Sequence, residues 1–296
     1  MDPIVAFLQG AVLPGTAVFV LVLALAWRGL DARAAAAGGA LGAAAGYLAG
    51  YLALFGMPDF PAVRSVEWMP PVAVAGLLLG LTVLVRGQGP ALTALAGVPL
   101  LGALGWMWYM IARGVLRTTD FPWPATGVLA FGALVVLLFL ALPAVRLVVP
   151  DREKTPRWPV TPFLLMVLAT AVSLSLLASG SARVSQMTGI VAAGSGALGV
   201  AGLIAWTNPA LPRAEGVLSV LLGFHLLLAT WYSELGWPAV TAFLAAQAGL
   251  TVFAMGEQSL SAPRSRSLRI GGAAAAVVLS IGTTVLLIVI RGLPDI

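Results

Sequence analysis

Val160–Gly180, VTPFLLMVLATAVSLSLLASG, follows directly on Pro150–Pro159, PDREKTPRWP. The seam holds Asp151, Arg152, Glu153, Lys154 and Arg157, whereas the 21-residue run after it holds no charge. A helix rises about 1.5 Å per residue, so ~20 apolar residues match the ~30 Å hydrocarbon core of a bilayer. The run is rich in Leu and Ala and does not alternate as a barrel strand of about 10 residues would, so a membrane helix is expected.

The same contrast repeats outward in both directions. It predicts ten spans, at 4–27, 34–55, 70–85, 91–112, 124–146, 160–180, 186–206, 215–233, 238–256 and 270–290. The third is short and opens on Pro70-Pro71, and Leu13-Pro14-Gly15 interrupts the first, so nine is the alternative count. The expected fold class is therefore an all-α, polytopic integral membrane protein with about ten transmembrane helices, short loops and no soluble domain. Composition agrees. Of 296 residues, 60% are apolar and 9% charged, against about 25% charged in soluble domains. Mean hydropathy is +1.02.

Cysteine is absent, which excludes disulfides, thiol chemistry and Cys-based metal sites. The net charge of +5 is spread over seams rather than gathered in a patch, so nucleic acid is not an expected partner. Met1-Asp2-Pro3 lacks the basic start of a signal peptide, and the first apolar run is read as a retained helix.

Basic residues set the expected orientation. Seams after odd-numbered spans carry eleven: Arg28, Arg33, Arg86, Arg146, Arg152, Lys154, Arg157, Arg213, Arg264, Arg266 and Arg269. Those after even-numbered spans, with the C-terminal tail, carry five: Arg64, Arg113, Arg117, Arg183 and Arg291. Lys and Arg are retained in the cytoplasm, so both termini are expected outside. Lys154 is the sole lysine among 16 basic residues, a bias of high-GC genomes that points to a bacterial inner membrane with periplasmic termini. Trp68, Trp106, Trp108, Trp123, Trp231 and Trp237 flank the outer seams, and Trp27, Trp158 and Trp206 the inner ones, as interfacial anchors do.

The polar connector 150–158 divides a first half, 1–149, from a second, 159–296, with five spans in each. Two halves with an odd number of spans enter the membrane from opposite sides, which is the arithmetic of an inverted repeat. Gly39-Ala40-Leu41-Gly42 recurs as Gly196-Ala197-Leu198-Gly199 in the second span of each half, although the same four residues recur at 102–105.

Three features carry candidate function. Gly38, Gly42, Gly46 and Gly50 recur every fourth residue, a smooth helix face for close packing within the chain or at a dimer seam. His225, the sole histidine, lies mid-span, where an ionisable group is either a functional position or a hydrogen-bonded neutral imidazole. Gln247 and Gln186 are the other strongly polar candidates within spans. No carboxylate lies in a span interior, and there is no P-loop, dinucleotide glycine pattern, zincin motif or nucleophile elbow. No catalytic residue, metal site or cofactor is expected, and the expected partners are the lipid bilayer and, as alternatives beyond it, other membrane subunits or a second copy in a homodimer. Three roles remain open: a permease-like carrier of a small organic solute, a non-catalytic membrane subunit or scaffold held by other subunits, and an intramembrane lipid-modifying enzyme.

Overall fold

A computed structural model describes residues 8–27, 32–59, 62, 64–82, 90–117, 125–148, 160–204, 215–258 and 263–291. Its ten α-helices are α1 (Leu13–Trp27), α2 (Ala32–Phe55), α3 (Met69–Leu81), α4 (Pro90–Leu116), α5 (Ala125–Val148), α6 (Val160–Ala178), α7 (Ala182–Ile204), α8 (Glu215–Tyr232), α9 (Trp237–Gln258) and α10 (Pro263–Arg291). No strand occurs among the described residues. Each helix overlaps one predicted span. Seven of them, α2 and α5 to α10, are long and apolar enough to cross a membrane. The chain thus has the make-up of an all-α, multi-pass membrane protein. The connector 150–158, the seam residues Arg28, Arg86 and Arg213, and Trp123, Trp158 and Trp206 lie outside the described residues.

Prolines shape two of the short helices. A π-helical turn at Leu8–Val12 runs straight into α1. Pro14 has no N–H for the Gly10 carbonyl, and the wider turn accommodates that lost bond without ending the helix. A 3₁₀ turn, Ser65–Trp68, leads into α3, where Pro70 and Pro71 sit in the first turn and their missing donors cost nothing. Here the backbone N–H of Arg64 donates to Glu67 Oε2 at 2.8 Å. At the end of α6 the Gly180 N–H donates to the Leu177 carbonyl and the Ser181 N–H to the Leu176 carbonyl. Gly180 has φ +77°, so this is a glycine-terminated Schellman turn.

α8 is the axis of the bundle. Its sequence, EGVLSVLLGFHLLLATWY, is apolar on every side, which marks a helix surrounded by others. It packs against α2, α3, α5, α6, α7 and α9. Of its membrane segment 78% is buried, against 17% for α10 at the periphery. Glu215 is buried at its first turn, where the positive end of the helix dipole favours a carboxylate.

Glycine faces set the closest helix contacts. A Cβ on Gly46 of α2 would lie 2.5 Å from Val18 Cγ2 and 2.9 Å from the Pro14 carbonyl oxygen, both in α1. Gly50 faces Pro14 and Ile190 of α7, and Gly42 meets Val22 at an ordinary 3.5 Å. Gly38 is buried. The tightest backbone crossing joins α9 to α10, where a Cβ on Gly272 would sit 2.5 Å from the Gly249 oxygen and 2.7 Å from the Phe253 nitrogen.

Candidate functional site

Two polar clusters meet α8 on different sides. His225 and Ser219 are six residues apart, which is about 9 Å along the axis and roughly 120° around it.

On the first side, His225 Nε2 and the Tyr47 hydroxyl of α2 are 3.1 Å apart, and both side chains are buried. The rings lie 5.7 Å apart, centroid to centroid. If Tyr47 donates, the ring proton rests on Nδ1. The Leu221 backbone, one turn back, interacts with the imidazole, but Nδ1 completes no hydrogen bond of full geometry. Tyr47 begins an aromatic file on one face of α2. Tyr51 follows at 6.5 Å, Phe55 at 5.3 Å from Tyr51, and the Arg183 guanidinium of α7 caps Phe55 at 5.0 Å. Residues four apart share a helix face, so a file at 47, 51 and 55 leads from the bundle centre to one end. The Tyr51 hydroxyl points toward the Val66 carbonyl at 3.5 Å, a weak contact.

On the second side, Gln247 Nε2 of α9 donates to Ser219 Oγ at 3.0 Å, and Ser219 donates to the Phe139 carbonyl of α5 at 3.0 Å. Gln247 and Ser219 are both buried, and Gln247 Oε1 has no hydrogen-bond partner among the described residues. A lone buried carbonyl oxygen costs about 1–3 kcal/mol, so the position favours an added donor. Thr251 Oγ1 bonds the Gln247 carbonyl at 3.0 Å and secures this part of α9.

Of the sequence candidates, His225 and Gln247 thus lie at the centre, in separate clusters. Gln186 is exposed on α7 and joins neither. The glycines of α2 lie beside the aromatic file, one residue off its register, and bring α2 against α1. Sequence reasoning missed Tyr47 and Ser219. Helical spacing relates His225 only to residues of its own helix, whereas its partner lies 178 residues away. A signal was present. The chain has only four tyrosines, and two of them stand four apart on one helix in register with Phe55.

Both clusters are uncharged, and among the described residues no three of His, Cys, Asp and Glu are grouped to hold a metal. The site can bind by hydrogen bonding and aromatic contact. Protein-family models, curated proteins and solved structures were compared with the chain, and none matches it.

Proposed function

We propose that this protein is a permease-like carrier of a small organic solute, with its binding positions on either side of α8. One observation carries the reading. The most buried helix meets hydrogen-bonding groups at mid-bundle, His225 with Tyr47 and Ser219 with Gln247, and Gln247 Oε1 is left without a partner among the described residues. A purely structural core of this depth gains nothing from leaving polar atoms unsatisfied, whereas a solute site needs them. In this reading α1, α3 and α4 cross the membrane with the other seven. Contacts of α2 with α7 and of α3 with α8, pairs that an inverted repeat would exchange, support five-plus-five symmetry. Against it stand the packing of α6 on α10, of α1 on α7 and of α5 on α8, which have no comparable counterparts of α1 on α5, α6 on α2 and α10 on α3 among the described residues.

The test is uptake of pooled labelled metabolites by liposomes holding the wild-type protein, Tyr47→Phe or His225→Gln. Both variants should fold, since an interhelical hydrogen bond within a membrane contributes about 1 kcal/mol. Their uptake should fall at least about tenfold, because each removes a binding group made for the solute. Equal uptake in all three would remove the site. Stoichiometric co-purification of other membrane proteins, with no uptake, would replace the carrier with the subunit reading.

Ten spans with periplasmic ends also make a plain prediction. A reporter fused after Ile296 should be active only when exported. A reporter that works only in the cytoplasm would overturn the count or its orientation.

A further inference from the structure

The turns at one end of the bundle enclose a recess of about 620 Å³. Its polar lining is Ser179 and Ser181 from the α6–α7 turn, Tyr232, Ser233 and Glu234 from the end of α8, and Arg291 from the end of α10. That volume falls within the ~300–1,000 Å³ usual for small-molecule sites. Among the described residues, neither Glu234 nor Arg291 takes part in an ion pair.

Three of the four hydroxyl residues that line the recess have already spent their protons. Ser179 donates to the Ser175 carbonyl at 2.8 Å, Tyr232 to the Ile111 carbonyl at 2.7 Å, and Ser233 to the Ala229 carbonyl. Each therefore offers lone pairs, not hydrogens. The C-terminal ends of α6, α8 and α10 line the same space and bring the negative ends of three helix dipoles, against one positive end, that of α7, which begins beside Ser181. With the Glu234 carboxylate, the recess is rich in acceptors and suited to an ammonium group. Arg291 is the exception, a fork of donors able to hold a carboxylate.

We propose that this recess binds a small zwitterion of the amino-acid class, its ammonium at Glu234 and the hydroxyl oxygens and its carboxylate at Arg291. The inference deepens the carrier reading by naming a solute class, and it rests on that reading only for transport, not for binding.

Saturation-transfer NMR on the purified protein in nanodiscs reads the binding directly. The probes are an equimolar mixture of the twenty common amino acids, ethylamine and propionate. Amino acids should receive saturation, ethylamine less, and propionate none. Glu234→Gln should weaken amino-acid binding about tenfold or more, and Arg291→Gln should weaken it similarly while sparing ethylamine. Arg64→Gln, on the same end of the bundle but outside the recess, should change nothing. All three are surface changes, and an unchanged melting curve confirms that each variant folds. No transfer to any amino acid in the wild type, or transfer indifferent to Glu234→Gln, would overturn the site. Binding without uptake of the same amino acids into liposomes would overturn the carrier and leave the recess standing. Uptake indifferent to Glu234→Gln would leave the carrier standing and remove the recess from its transport path.

Discussion

Replacing Gly272 by leucine should lower the melting midpoint in detergent by roughly 10 °C or prevent folding, while leucine at the adjacent Gly271 should leave it unchanged. The two glycines differ in which face of α10 they occupy. A Cβ at 271 meets nothing within 4 Å, whereas one at 272 would stand 2.5 Å from the Gly249 oxygen and 2.7 Å from the Phe253 nitrogen. Those atoms are backbone, so no rotamer change can clear them. The helices would have to separate, and the small-residue contact that holds them where lipid supplies no hydrophobic drive would open. Overpacking of this kind costs about 3 kcal/mol or more, and about 1 kcal/mol corresponds to a few degrees in a chain of this size. Equal midpoints for the two variants, measured by thermal melting with fluorescence-detected size exclusion, would show that the α9–α10 crossing is not as drawn.

The second large effect is expected at Gly46. Leucine there should destabilise the protein by about 2–3 kcal/mol, because its Cβ would press on the Pro14 carbonyl as well as on Val18. Alanine at Gly42 should be tolerated, since its Cβ would sit at an ordinary 3.5 Å from Val22. The space in front of Gly46 is filled by Val18 and Pro14 of α1, so this glycine serves the packing of α2 on α1. The two uses separate cleanly in one experiment. Packing predicts a lower melting midpoint at unchanged oligomeric mass, and a seam predicts dissociation at an unchanged midpoint.

How much could be read in advance follows from the range of each interaction. Helices were legible because hydrophobic runs and charged seams are local, and ten helices fall on the ten predicted segments. The Pro14 interruption was visible, but its outcome was not. A π-helical turn keeps the helix continuous, and that depends on α2 and α7 packing against the same segment. His225 and Gln247 stood out because polar residues are scarce in these spans. Their partners did not, because Tyr47 and Ser219 lie on other helices and nothing local records which faces will meet. The same limit applied to glycine. The regular stripe on α2 was visible as a repeat, whereas Gly249 and Gly272 are single residues on two helices and become a pair only once those helices cross.

The lone histidine also gives the molecule a built-in reporter. Protein grown with ¹⁵N-labelled histidine carries two labelled ring nitrogens, both at the centre of the bundle and within reach of Tyr47. A pyridine-type and a pyrrole-type nitrogen resonate far apart, and strong coupling to both Hε1 and Hδ2 marks Nε2, so the tautomer is read once the two signals are told apart in this way. Any solute that reaches the pair will perturb one or both of these signals, and its arrival can be followed inside an otherwise silent spectrum.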